Sequence, residues 1–150
     1  MTDLLLTLAH HALVFSLLAL LSAEFALVHK RVAAPLVRAL GRLDAAYGAV
    51  ATLVVVAGFG RVYGGAKGPD FFLHNPVFWA KLAFFLAIGL VSIAPTLRFL
   101  RWRKALRADA GFEPPAAEVA LVRRWLLVEL LLFVPVPLLA AAMARGFGLS

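Results

Sequence analysis

The chain contains no cysteine and only two methionines among its 150 residues. The lack of cysteine excludes disulfides, thiolate metal sites, iron–sulfur clusters and c-type haem attachment. The scarcity of methionine argues against a thioether-lined copper route. Charged residues are also few, at 15% of the chain, whereas soluble domains carry about 25%. A soluble enzyme or nucleic-acid-binding domain needs more polar surface than this composition provides.

Hydrophobic residues, in contrast, make up 63% of the chain, and the mean hydropathy is +0.93. A helix needs about 20 apolar residues to cross a bilayer. Such runs occupy about residues 4–28, 44–63, 76–100 and 119–144, with Pro135 and Pro137 predicting a kink in the last run. The pattern predicts an all-α fold, an integral membrane four-helix bundle, as a single domain over residues 1–150. An amphipathic stretch (32–43) and a turn-rich loop (64–70) are expected between the first three runs.

The net charge of +7 is distributed unevenly between the connections. The basic residues gather between the first and second spans and between the third and fourth. They are Lys30, Arg31, Arg38 and Arg42 in the first group, and Arg98, Arg101, Arg103, Lys104, Arg107, Arg123 and Arg124 in the second. The positive-inside rule then predicts cytoplasmic basic loops, both termini on the outer (periplasmic) side, and a multi-pass location in the bacterial inner membrane. The charge is explained by topology in the lipid bilayer, so no nucleic-acid partner is expected.

Ionisable side chains within the spans are candidate functional residues, because charge inside a bilayer is costly. In the outer half these are His10, Arg61 and Lys81. At 1.5 Å per residue, His10 and Lys81 lie roughly 8–9 Å from the outer ends of their helices, so they can meet across the bundle. His11 is about 100° away from His10 on the helix, which argues against a metal site built on both. A structural histidine with snorkelling cations is the alternative.

A second polar layer lies closer to the cytoplasmic end and contains Glu24, Asp44, Tyr47, Arg98 and Glu129. Glu24 follows His10 by about four turns, so both share one helix face. Glu24 and Glu129 are candidate proton-relay groups, and we treat them as the catalytic candidates. A buried ion pair of Arg98 with Glu24 or Asp44, which would fix the helix register, is the alternative interpretation.

Several motifs together carry a family resemblance that covers nearly the whole chain. They are Asp44-x-x-Tyr47-Gly48, Gly58-x-x-Arg61, Lys67-Gly68, Asn75-Pro76-x-Phe78-Trp79-x-Lys81-Leu82 and Pro95-Thr96-x-Arg98-Phe99-x-x-Trp102. With His10 and Ala23-Glu24 in the first span, the sequence resembles the bacterial "domain of unknown function 2214" family. That family is uncharacterised, so the resemblance implies a membrane protein without implying an activity.

More distantly, the sequence is similar to the group that holds the CopD-like copper-resistance proteins and the HemJ-type protoporphyrinogen oxidases. The latter are small four-helix membrane proteins that bind haem b. Their histidine in the first span corresponds to His10, and their tryptophan followed by a lysine corresponds to Trp79 and Lys81, with Ala80 where they often carry a histidine. The resemblance implies His10 as a metal ligand to haem b, and Trp79 and Lys81 as cofactor-binding residues.

Three functions remain open from the sequence. The first is a haem b protein for redox or porphyrin chemistry, an oxidoreductase if it is an enzyme, with Arg61 as a propionate anchor and Glu24 and Glu129 as proton carriers. The second is a small transporter with an intramembrane charge path, which would need a homo-oligomer. The third is a structural or accessory subunit whose buried charges pair with each other or with a partner membrane protein.

Overall fold

The computed structural model describes residues 1–148. Six helices follow one another along the chain, and this part of the chain contains no strand. They are α1 (Thr2–Leu27), α2 (Ala34–Gly64), α3 (Gly68–Leu73), α4 (Pro76–Ala108), α5 (Ala116–Phe133) and α6 (Pro135–Ala144). Four segments are long and apolar enough to cross a membrane: Asp3–Leu27, Ala34–Gly64, Pro76–Ala108 and Ala116–Ala144. The predicted all-α fold with four spans is confirmed.

Helix α4 begins at Pro76, where the third apolar run is predicted to begin, and its start is fixed by Asn75. The buried Asn75 side chain accepts a hydrogen bond of 2.8 Å from the Val77 amide, which satisfies one of the free donors of the first helical turn. Its amide group also donates to the Phe147 carbonyl at 3.1 Å. The start of the third span is therefore tied to the segment that follows α6.

The second span is longer than the hydrophobic pattern predicts, because the amphipathic stretch 32–43 does not form a separate element. Helix α2 begins at Ala34 and runs without a break to Gly64. Pro35 lies in its first turn, where a proline costs no hydrogen bond. Gly41 leaves room for the Arg103 side chain of α4, which contacts the position that a Cβ would take there. The turn-rich loop contains the short helix α3, which begins at Gly68 with a φ of +70°.

The fourth span divides into α5 and α6 at Val134, next to the two prolines that predict an interruption there. Pro135 and Pro137 remove two amide donors from the helix ladder. Val134 itself keeps right-handed helical angles, with φ −54° and ψ −45°. The interruption therefore lies in the hydrogen bonding, while the backbone of Val134 stays helical.

The main core lies in the half of the bundle that faces the two basic loops. Leu17 and Leu21 of α1 pack there with Phe99 of α4 and Leu126 of α5. Trp102 belongs to this core, since only 2% of it is exposed and its indole donates to Glu118 at 2.9 Å. This partner on α5 satisfies the one polar group of the indole.

The four spans pack together more completely at one end of the bundle than at the other. Helix α1 packs on α2 and α5, whereas α4 packs on α2, α5 and α6. Among the described residues, α1 has no close backbone approach to α4 or α6. The first and fourth spans are therefore joined in the α5 half and separate in the α6 half.

The two basic loops lie at the same end of the bundle, as the predicted topology requires. Arg31 forms a bidentate ion pair with Glu113, with nitrogen–oxygen distances of 2.7 and 2.9 Å. Arg123 of α5 donates to the carbonyls of Phe25 and Val28 at 2.9 and 2.6 Å. These bonds satisfy free carbonyls at the end of α1, so they fix α1 to the start of the fourth span.

Candidate functional site in the bundle interior

The outer polar cluster is centred on His10. The ring of His10 packs on α2 at Gly58, where a Cβ would lie 3.5 Å from its Cε1 atom. Its Nδ1 atom is buried and forms no hydrogen bond of standard geometry among the described residues, although the Val54 backbone of α2 is near enough to act on the ring. The positive charges of Arg61 and Lys81 are within electrostatic range of the imidazole. The structure therefore places the His10 ring against α2, with Arg61 and Lys81 close enough for their charges to act on it.

Arg61 and Lys81 approach His10 from two different helices. Arg61 lies on α2 one turn after Gly58, and Lys81 lies in the second turn of α4. Both side chains are half-buried. The ammonium of Lys81 is 5.7 Å from the centre of the Phe78 ring, within reach of a cation–π contact. The cluster thus places two cations beside one imidazole, with no carboxylate partner within the described part of the chain.

His11 differs from its neighbour in every respect that matters for a site. It is exposed, and its Nδ1 atom is 2.7 Å from the Thr7 carbonyl of its own helix. The two imidazole rings are perpendicular, with centroids 6.1 Å apart. Within residues 1–148, no three His, Cys, Asp or Glu side chains are grouped to hold a metal ion. Any metal bound at His10 would need to bring ligands of its own, as a haem does.

Trp79 lies away from the cluster that it was expected to join. It is 52% exposed, and its indole donates to the Leu73 carbonyl at 2.9 Å. That bond links the start of α4 to the end of α3. Trp79 therefore supports the junction of these two helices, and its position gives no support to a cofactor-binding role.

The inner polar cluster is formed by carboxyl groups that are almost completely buried. Glu24 is 2% exposed and Glu129 is 1% exposed. Tyr47 donates to Glu129 over a long distance of 3.4 Å, and the Oε1 atom of each glutamate has no partner among the described residues. The two groups and Asp44 are within electrostatic range of one another. An ionised carboxylate without a counter-ion is very costly in such surroundings, so burial favours the uncharged acids.

The alternative of a buried ion pair with Arg98 is wrong for this structure. The Asp44 carboxylate instead accepts a hydrogen bond of 2.6 Å from the Thr96 hydroxyl. Arg98 follows Thr96 by two residues, which places it about 200° further round the helix, on the opposite side of α4. Across residues 1–148, the salt bridge that forms is Arg31–Glu113, outside the bundle interior. The polar groups of the interior are therefore not a set of charge pairs that fixes helix register.

Sequence reasoning missed a groove between α2 and α4, which contains two hollows of about 380 Å³ each. One is mainly apolar, with Asp44, Tyr47, Ser92 and Thr96 in its wall. The other is lined by Leu106 and four arginines, Arg38, Arg42, Arg103 and Arg107. The available signal was the spacing of each arginine pair, four residues apart and so on one helix face. The sequence pattern assigns these arginines to loops, whereas all four lie on helices α2 and α4.

Comparison with known families gives a match over residues 2–148, to the family described as "Predicted membrane protein (DUF2214)". Comparison with curated proteins and with solved structures returns no match. The matched range includes all six helices and both polar clusters. The chain therefore belongs to the DUF2214 family of membrane proteins, as its motifs predict.

Proposed function

We propose that this protein binds haem b through His10 in the outer half of the bundle and serves membrane redox chemistry, in the bacterial inner membrane with both termini outward. The observation that carries the proposal is the buried Nδ1 atom of His10, which forms no hydrogen bond of standard geometry among the described residues. A buried polar nitrogen without a partner costs about 1–3 kcal/mol. Such a cost is typical of a group kept for a ligand.

The side chains around His10 fit the chemistry of a haem. The imidazole supplies one axial nitrogen, which is the commonest protein ligand to haem iron. Arg61 and Lys81 supply positive charge within electrostatic range of that imidazole, which suits the two propionate carboxylates of haem b. Free cations in the span are otherwise costly, so an anionic ligand edge would stabilise them.

The packing of the helices also supports a ligand at this position. Helix α1 packs on α5 and has no close approach to α6 among the described residues, so its outer half lacks a neighbour on that side. Neither hollow of the α2–α4 groove includes His10.

When bound, haem b would supply one-electron transfer, and the chain itself would manage protons. The Tyr47 hydroxyl donates a hydrogen bond to the Oε2 atom of Glu129. The uncharged Glu24 and Glu129 would carry protons in the interior. Because these groups lack counter-ions, a change of charge nearby shifts their protonation more strongly than it would in water. Arg61 and Lys81 would hold the carboxylate edge of the ligand at the outer side.

Haem titration of the detergent-purified protein tests the proposal. We expect saturable binding at one site, measured by the increase in Soret absorbance. His10→Ala should weaken binding by at least about tenfold, which corresponds to roughly 1.4 kcal/mol. His11→Ala, the matched control, should bind haem like the unaltered protein. Equal binding by the His10 and His11 variants, or no saturable binding at all, would contradict the proposal.

A further inference from the structure

Four guanidinium groups meet at the end of the bundle where the basic loops lie. Arg38 and Arg42 of α2 face Arg103 and Arg107 of α4 across one hollow of about 380 Å³. Within the described residues, none of the four forms a salt bridge with a carboxylate. Arg103 reaches the Gly41 carbonyl at 3.4 Å, which is a long contact. Like charges four residues apart repel one another, so this arrangement favours an anion in the hollow.

The second hollow continues along the same two helices toward the middle of the span. Its wall includes Phe85, Ile88 and Leu100, which are apolar. Gly48 of α2 and Gly89 of α4 also line it, and a Cβ at either position would stand in open space, with no atom within 4 Å. The groove is therefore strongly basic at the membrane surface and apolar deeper in the membrane.

The junction between the two hollows is marked by Asp44. Its carboxylate is already occupied by the Thr96 hydroxyl at 2.6 Å, and Arg103 is within electrostatic range of it. Asp44 thus separates the arginine hollow from the apolar one. The negative charge of Asp44 repels an anion at this point, whereas the four arginines attract one closer to the end of the bundle. These opposing charges define the depth at which a negatively charged group can bind.

We propose that the α2–α4 groove binds an anionic phospholipid, with its phosphates on the four arginines and an acyl chain in the apolar hollow. Guanidinium groups bind phosphate oxygens in a bidentate manner, and basic pockets between membrane helices suit lipid headgroups. Four arginines match a headgroup that carries two phosphates better than one that carries a single phosphate. A soluble diphosphate could bind the arginines through the same phosphate chemistry. It has no acyl chain, so it would leave the apolar hollow unfilled. Neither hollow includes His10.

Native mass spectrometry of the detergent-purified protein with added lipids tests this. We expect tetraoleoyl cardiolipin, which carries two phosphates, to bind more tightly than dioleoylphosphatidylglycerol, and dioleoylphosphatidylcholine to bind weakly. The triple variant Arg38→Gln, Arg42→Gln, Arg107→Gln should lose on the order of 100-fold in cardiolipin affinity. Arg103 is left in place because it packs over Gly41.

A charge-matched control separates a site from general attraction. Arg101→Gln, Lys104→Gln, Arg124→Gln removes three exposed positive charges outside the hollow, and it should retain cardiolipin binding. Gly89→Leu should weaken lipid binding by narrowing the apolar hollow, while the arginines stay intact. Equal losses in the two triple variants, or equal binding of phosphatidylcholine, would overturn the proposal. Displacement of cardiolipin by sodium pyrophosphate, with Gly89→Leu binding lipid normally, would assign the hollow to a soluble phosphate and overturn the lipid assignment.

Discussion

The Thr96 hydroxyl donates a hydrogen bond of 2.6 Å to the Asp44 carboxylate, and this contact joins α2 to α4 in a half-buried layer. Thr96→Val keeps the shape of the side chain and removes the donor. We expect it to lower the free energy of unfolding in detergent by about 2 kcal/mol, since a hydrogen bond to a charged group contributes about 1.5–3 kcal/mol.

The control for this variant is Ser92→Ala, on the same helix and in the same groove. The Ser92 hydroxyl donates to the Gly89 carbonyl of its own helix at 2.8 Å, so its loss breaks no contact between helices. We expect a smaller effect on unfolding. If the Thr96 variant unfolds like the Ser92 variant, the contact between Asp44 and Thr96 does not stabilise the bundle.

The buried glutamates should react with a hydrophobic carbodiimide, which modifies protonated carboxyl groups in apolar surroundings. Glu24 and Glu129 fit that description, because both are nearly fully buried and have no counter-ion among the described residues. We expect peptide mass spectrometry to find the adduct on one or both. Glu113, which is ion-paired and outside the spans, should stay unmodified. Labelling that persists in the double variant Glu24→Gln, Glu129→Gln would refute an uncharged acid pair.

The ion pair between the two basic loops should make stability depend on acid pH. The hydrogen bond from Arg31, and then its charge, lower the pKa of Glu113 below its ordinary value of 4.5. A lowered folded-state pKa contributes stability above the unfolded value, and this contribution disappears as pH falls through the folded value. We expect the difference in Tm between the unaltered protein and Arg31→Gln to be full at neutral pH, to begin to shrink near pH 4.5, and to disappear as the pH falls through the lower folded-state pKa of Glu113. A difference that stays constant across this range would exclude the linkage.

The predicted orientation can be tested directly because the chain has no cysteine. Single cysteines at Gly111, in the loop between α4 and α5, and at Lys67, just before α3, place one thiol at each end of the bundle. A membrane-impermeant thiol reagent added to intact cells should label Lys67→Cys and leave Gly111→Cys unlabelled until the membrane is opened. The reverse pattern would place the basic loops outside and invert the topology.

The sequence predicts the parts of the fold that depend on local chemistry. Apolar runs of sufficient length predict the four spans, and Pro76 marks the start of α4 because proline suits a first helical turn. The similar depth of His10 and Lys81 in their spans also follows from the sequence, since both distances are measured along regular helices. Burial of Glu24 and Glu129 follows from the helix faces on which they lie.

Other features depend on contacts between distant segments, and these are beyond a single-sequence pattern. The partner of Asp44 is Thr96 and not Arg98, because the rotation of α4 decides which of the two faces α2. Trp102 is buried because Glu118 on α5 accepts its indole hydrogen. Both outcomes depend on helix rotation about its axis. Hydrophobic runs in a membrane helix define that rotation poorly, because the lipid-facing side is apolar as well.

The central claim is that His10 holds haem b, and the absorption spectrum of the purified protein tests it most directly. Protein expressed with ample haem supply and purified in mild detergent should show a Soret band, with the changes of a b-type haem on reduction by dithionite. His10→Ala should lose this spectrum at equal protein yield, and His11→Ala should keep it. A colourless unaltered protein, or a His10→Ala variant with the full spectrum, would contradict the account.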